Sequence, residues 1–352
     1  MEKVKKMLPK FCGFLFFGTM CTFVSAQKIN YQVNPQTGAL QTLSIANDPQ
    51  KMNWLVVTDG SQYRWVKENY GWGLGYATQV KGNRKEKVSW EIPAEMKQEG
   101  NELVYMAGDI RICVKRKMVE DELIEEYTFR NQGKDKVALV DIGVYTPFND
   151  NYPGSRTCIN TRTNTHIWEG ENAAYVNALR MGGHAPHLGL VLTKGAVKGY
   201  EIWERGRDKG NSHTRGIIAL NLPDLQLMPG KEYSMSWCLF AHKGIDDFRQ
   251  KLLEKGSVFV SCNKYVFEKG EKACIELAAE TSIQKCVLKN QDIHIPMKKR
   301  GNLWIAEVKM DQLGENRFDI FYGKGKQTHV TCLVIDNVDS LIKKRVDFIC
   351  DH

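Results

Sequence analysis

The chain has 352 residues, of which 42% are hydrophobic and 26% charged. That is the balance of a folded protein with room for two domains, and it excludes a disordered chain. Of the formal net charge of +8, four lysines against one glutamate in residues 1–26 supply three units. The remaining charge is spread over roughly three hundred residues without a Lys/Arg run interleaved with aromatics, so no nucleic-acid partner is expected.

Lys3, Lys5, Lys6 and Lys10 precede an apolar run from Phe11 to Val24, and Val24-Ser25-Ala26 supplies small residues at a cleavage site. Residues 1–26 are therefore expected to be a signal peptide, with Gln27 as the mature N-terminus. The run is shorter than the ~20 residues of a spanning helix, and Met20 before Cys21 fits a lipidation site poorly. No later segment is long and apolar enough to span, so the protein is expected to be exported, periplasmic or extracellular, with no membrane span. Eight cysteines remain after cleavage: Cys113, Cys158, Cys238, Cys262, Cys274, Cys286, Cys332 and Cys350. Their even number permits disulfides, but no Cys-x-x-Cys pair occurs and most sit in strand-like runs as small buried hydrophobes. A bridge within the last hundred residues is open, with no pairing deducible.

From Ile29 to Asn101 the pattern is short strands and turns. Asn34-Pro-Gln-Thr-Gly38 turns into the strand Ala39–Ile45, and Trp54–Val57 and Tyr63–Val66 bracket the tight-turn pair Asp59-Gly60. Tyr70-Gly-Trp-Gly-Leu-Gly-Tyr76 alternates large residues with glycine. It reads as a strand whose glycines admit neighbouring backbone, or as an aromatic platform for a sugar ring. Residues 101–147 are the clearest β sequence. Ile110, Ile112 and Val114 alternate with polar residues. Leu123–Asn131 follows the turn Glu120–Glu122, and Val137–Tyr145 is apolar enough for a central strand covered on both faces.

Tyr145 to Leu192 is expected to be a long irregular segment rich in functional residue types. It holds His166, His184, His187, Arg156, Arg180, Trp168, Glu169 and Asp150. Strands resume at Leu188–Thr193, Gly199–Trp203, Arg215–Leu222 and Tyr233–Phe240. Ile245, Phe248, Leu252 and Leu253 then form a helical stripe, with Asp246 and Asp247 in its first turn and Gly256 past its end. Short strands from Val258 to Ile335 predict a small immunoglobulin-like sandwich. Asp339-Ser340 reads as an N-cap pair before a helix whose apolar face is Leu341, Ile342, Val346, Phe348 and Ile349.

The fold expected is mainly β: a large antiparallel β-supersandwich (27–256), the immunoglobulin-like sandwich (257–336) and the start of a truncated helical segment (337–352). Glu126-Tyr-Thr-Phe-Arg-Asn131, Ile142–Asp150, Trp168-Glu-Gly170, Arg180–Leu190 and Ile342–Ile349 carry a resemblance. The layout resembles the N-terminal half of large secreted bacterial glycoside hydrolase-like proteins, in which a galactose-mutarotase-like supersandwich precedes an (α/α) toroid. The resemblance implies a carbohydrate partner, with acid and base in the toroid and sandwich loops lining the cleft.

Glycoside hydrolysis needs two carboxyl groups ~5–5.5 or ~6.5–9.5 Å apart. Asp150, Glu169, Glu171, Glu201 and Glu204 are available, and their spacing in sequence places no two of them across a sugar. His184-Ala-Pro-His187 lacks helical i, i+3 pairing because of Pro186 and has no evident third ligand, so neither a metal nor another cofactor is expected. The same histidines with His166 and a glutamate would suit an aldose epimerase, whose proton shuttling needs groups titrating near neutrality. The reading adopted is a polar wall that orients sugar hydroxyls: Trp168 stacks, Arg180 pairs with a carboxylated sugar, and His166, His184, His187, Asp150 and Glu169 complete the set. An internal Arg180–Glu169 ion pair is the competing structural reading. The function expected is the non-catalytic, substrate-cleft part of a carbohydrate-active protein, with a self-contained glycan-binding protein or an aldose epimerase as alternatives.

Overall fold

The computed structural model describes residues 28–57, 70–91, 96–151, 153–203, 217–280, 283, 285–290, 293–323 and 325–352. The expected signal peptide, the Asp59-Gly60 turn, the Tyr63–Val66 strand and Glu204 lie outside the described residues.

The chain is mainly β, as its period-2 alternation predicts. A hairpin of β1 (Ile29–Val33) and β2 (Leu40–Ile45) opens it, its turn held by Asn34, whose Oδ1 accepts from the Gln36 and Thr37 N–H groups. Then follow β3 (Gly75–Lys81), β4 (Arg84–Ser89), β5 (Lys97–Glu99), β6 (Glu102–Ala107), β7 (Ile110–Val119), β8 (Glu122–Asn131) and β9 (Val137–Tyr145). The short helix α1 (Ser155–Thr161) precedes β10 (Thr163–Trp168), β11 (Tyr175–Arg180), β12 (His187–Lys194), β13 (Gly199–Trp203), β14 (Ile217–Asn221), β15 (Leu225–Leu227) and β16 (Glu232–His242). Among the described residues these make two sheets packed face to face. One has eight strands in the order β10-β11-β12-β16-β8-β7-β6-β5, and the other runs β13-β14-β9-β3-β4 with β15 also on β9.

The inner faces meet in one core that includes Trp54, Trp72, Trp90, Tyr127, Phe129 and Trp237. One carboxylate is buried in it. Glu125 lies on the same strand face as Leu123, Tyr127 and Phe129, accepts from Arg116 Nε at 2.5 Å, and takes both the Trp72 and Trp237 indole N–H groups at 2.7 Å. With three donors converging on it, the charge is compensated where an isolated one would not be tolerated.

Helix α2 (Ile245–Glu254) buries Phe248 and Leu252 against Phe240, Cys238 and Val191 on the outer face of the eight-stranded sheet. A smaller two-sheet sandwich follows. β17 (Val258–Cys262), β18 (Val266–Glu268), β19 (Lys272–Ala279), β20 (Cys286–Asn290), β21 (Ile293–Pro296), β22 (Lys298–Arg300), β23 (Leu303–Lys309), β24 (Gly314–Tyr322) and β25 (Lys326–Ile335) form the sheets β17-β19-β23-β22 and β18-β25-β24-β20-β21. Its core is separate, apart from Ala173, which the large sandwich inserts into it. Helix α3 (Val338–Asp351) is capped by Asn337, whose side chain accepts from Ser340 N at 3.2 Å, and not by the expected Asp339-Ser340 pair. No residue of α3 is buried.

The largest departure from expectation is the segment 145–192. It is not irregular: α1, β10, β11 and most of β12 occupy it, with β10 and β11 in register from Thr163↔Arg180 to Trp168↔Tyr175. β10 is the edge strand of its sheet, so its outward residues are polar and its alternation is weak in sequence. Trp54–Val57 forms only the isolated bridge Leu55↔Phe148.

Candidate functional site: a tyrosine-rimmed cleft on the six-stranded sheet

β9 is central in its sheet, yet only its inner face is covered by the second sheet. On β3, Gly75, Ala77 and Gln79 are buried inward while Tyr76 and Thr78 point out. Cross-strand pairing lines up outward residues in two rows: Tyr145, Ala219 and Glu201 in one, and Ser89, Tyr76, Gly143, Asn221 and Gly199 in the next. The small residues leave room for the tyrosine side chains beside them. A Cβ on Gly143 would fall 2.3 Å from the Tyr76 ring, so the tyrosine lies flat across bare backbone. Between Gly143 and Val140 the register with β3 shifts, and Asp141 at φ 50 turns outward. A bulge of this kind re-aims one side chain out of the ladder.

The result is a cleft of about 510 Å³ lined by Tyr70, Tyr76, Thr78, Lys87, Glu91, Asp141 and Glu201 among others. Tyr145 lies beneath it, its ring 5.4 Å from Tyr70 and 5.5 Å from Tyr76. Its hydroxyl donates to Glu91 in a short hydrogen bond, and Tyr76 donates to Glu201 Oε2 at 2.9 Å. Burial, then the hydrogen bond and charge of Glu91, push the Tyr145 phenol far above its ordinary range, so it stays protonated. A sugar ring has apolar C–H faces and hydroxyl edges, and this cleft offers both aromatic faces and paired carboxylate and phenol groups.

The residues of the expected polar wall lie elsewhere, and of the carboxylates named with them Glu201 lines the cleft. Arg180 is fully buried: its guanidinium pairs with Asp48 at 2.8 Å, reaches the Asn160 carbonyl and lies over the Trp54 ring. Its partner is Asp48 and not Glu169. His187 is buried beside it, accepting from the Arg180 backbone N–H at 3.0 Å, while His184 sits exposed on the turn between β11 and β12. Arg180, His184 and His187 are thus brought together, but around a packed turn. His166 is exposed on edge strand β10. Asp150 is buried in the loop after β9, its backbone N–H on the Phe148 carbonyl. Trp168 is half-buried with its ring 5.1 Å from that of His329 in the small sandwich. Of the expected polar wall, Glu169 approaches the six-stranded sheet, with Oε2 about 3.5 Å from where a Gly199 Cβ would stand.

Glu171 is a tie between the two sandwiches, accepting from Arg317 at 2.6 Å and lying 2.9 Å from His329 Nδ1. Among the described residues no group of three His, Cys, Asp or Glu side chains is placed to hold a metal ion. No helix among them is long and apolar enough to cross a membrane.

The sequence signal for the cleft is the glycine-interleaved run Tyr70–Tyr76, of which only Gly75 and Tyr76 belong to a strand. Tyr70 and Tyr76 face the cleft, while Trp72 turns inward onto Glu125. A Gly75 Cβ would meet the Gly143 carbonyl at 2.1 Å, so that glycine is needed for backbone approach. Glu91 and Tyr145, distant in sequence, gave no such signal.

No family model matches the chain, and no curated protein matches it. Among solved structures it is similar to a polysaccharide lyase, at 57% identity over 92% of this chain and 48% of the lyase, with a TM-score of 0.87. The chain therefore spans about half the length of that lyase. It also aligns with a putative aldose 1-epimerase from Escherichia coli K12 over 62% of this chain and 97% of the epimerase, at 10% identity and a TM-score of 0.37. A putative kojibiose phosphorylase from the human microbiome aligns over 65% of this chain and 27% of its own, at 11% identity and a TM-score of 0.27. At those scores the last two carry no weight.

Proposed function

We propose that this chain is the β-sandwich part of an exported polysaccharide-degrading protein, and that its tyrosine-rimmed cleft holds a sugar ring of the polymer. The observation that carries the reading is the 57% identity to a polysaccharide lyase, sustained over 92% of this chain. It moves the proposed reaction from hydrolysis to elimination. A lyase removes the proton α to a sugar carboxylate and expels the glycosidic oxygen, which needs a base and a proton for the leaving group.

The role assigned to this chain is binding. Tyr70 and Tyr76 face the apolar side of the ring, and Glu91, Glu201 and the phenol of Tyr76 exchange hydrogen bonds with its hydroxyls. A cleft of about 510 Å³ suits one or two sugar units. The exposed stripe of α3, with Leu341, Ile342, Val346, Phe348 and Ile349 all open to solvent, is proposed to pack against helical parts of a longer protein of the lyase's kind.

Affinity gel electrophoresis of the purified chain in a panel of uronate-containing polysaccharides, paired with ultraviolet detection of unsaturated product, tests this. Retardation in at least one polymer without product, and its loss in Tyr76→Ala, is the expected outcome. No retardation in any polymer contradicts the binding role, and product formed by this chain alone contradicts its non-catalytic assignment.

A further inference from the structure

Two cysteines of the small sandwich face its one core from opposite sheets. Cys262 ends β17, paired across the strand with Ile275, whose side chain is fully buried, so Cys262 faces inward and packs against the core. Cys332, on β25, is itself fully buried in that core. The chain leaving β17 runs straight onto β25: Leu333 N donates to the Tyr265 carbonyl at 2.8 Å, and Val266 of β18 pairs in parallel with Leu333. Cys274, next to Ile275 on β19, turns to the other face and is not part of the pair. β17 and β25 come within packing distance across this core, and each thiol acts on the other's titration.

The geometry points to Cys262 and Cys332 as an inter-sheet disulfide site, closed by a disulfide-donating oxidant. The inference is independent of the sugar cleft and rests on the proposed export only for the oxidising surroundings in which such bonds persist. The asymmetry of the pair sets the order of steps. Cys262 is half-buried, and its thiol is held down to about 7 by the neighbouring Cys332 thiol and by the N–H groups of Lys264 and Asn263. Cys332 is pushed well up by the neighbouring Cys262 and by burial. The accessible Cys262 thiolate attacks one sulfur of the oxidant's disulfide, forming a mixed disulfide and releasing the other sulfur as a thiolate. The Cys332 sulfur then attacks the Cys262 sulfur of the mixed disulfide and expels the second oxidant sulfur. Two electrons and the two protons of the protein thiols end on the oxidant, which leaves as two thiols.

The test is incubation of the folded, reduced full chain with glutathione disulfide, followed by thiol titration in denaturant and peptide mapping. The expected result is the loss of two thiols, a mass lower by about 2 Da and a single linked pair joining the Cys262 and Cys332 peptides. Cys262→Ala, at a half-buried position that need not disturb folding, then keeps all its remaining thiols. Retention of every thiol in the parent chain, a link between other cysteines, or a persistent glutathione adduct on Cys262 with Cys332 free would each overturn the inference. So would the same two-thiol loss in Cys262→Ala.

Discussion

His187 and His242 face each other across β12 and β16 with rings 5.3 Å apart, and Phe240 and Phe248 press on the second ring. Burial, then the neighbouring His187, lowers His242 to about 4, and burial, then Arg180, lowers His187. Both are therefore held neutral in the fold. As the pH falls below the ordinary imidazole value near 6.5, the unfolded chain takes up protons that the folded chain refuses, so stability drops until about pH 4. His242 alone accounts for roughly 3 kcal/mol over that window. Urea unfolding at pH 7 and pH 5 checks this: the parent chain loses stability at pH 5, and His242→Gln, which cannot take up the proton, loses distinctly less. Equal losses in the two proteins would remove His242 from the account. Glu125 is the other residue on which much depends. Glu125→Ala leaves the buried Arg116 cation and two indole N–H groups without their acceptor, for an expected cost of about 3–5 kcal/mol in the same assay. A cost below about 1 kcal/mol would mean that Arg116 finds another partner.

At the level of elements, β9 does two jobs. Its inner residues Val137, Leu139, Ile142 and Val144 fill the core, while Gly143 and Tyr145 support the Tyr76 ring that lines the cleft. An added methyl in Gly143→Ala would collide with the far end of the Tyr76 ring, which can swing aside. The expected result is a folded protein with modestly changed stability and strongly weakened polysaccharide retardation. Unchanged retardation would show that the Tyr76 position is immaterial. The central strands were legible in sequence because Ile110–Val114, Leu123–Asn131 and Val137–Tyr145 alternate or run apolar over their whole length. β10 and β11 were not, because Thr163–Trp168 lies at a sheet edge with polar residues outward, and its partner is specified only by pairing. The same limit hid the cleft. Glu201 meets Tyr145 through Ala219, a neighbour relation made by three strands and invisible along the chain. Arg180 and His187 stand out in sequence as polar residues suited to a sugar, yet in the fold Arg180 pairs with Asp48 and His187 accepts a backbone N–H.

Across the whole molecule, two cores are joined by a small polar and aromatic seam: Glu171 with Arg317 and His329, Trp168 against His329, and Tyr175 stacked on Phe259 at 6.0 Å. Glu171→Ala should lower stability by about 2 kcal/mol, since Arg317 is half exposed and recovers water. Proteolysis between the two sandwiches should rise with it, and an unchanged digestion pattern would show that the apolar contacts hold the seam alone. Titration calorimetry reads out whether the cleft on the six-stranded sheet holds the sugar. The ligand is the oligosaccharide mixture released by partial acid hydrolysis of whichever polymer retards the chain most. Saturable binding by the parent chain, weakened at least about tenfold (~1.4 kcal/mol) in Tyr76→Ala, is the result expected. Equal affinity in the two proteins would place the sugar elsewhere on the chain.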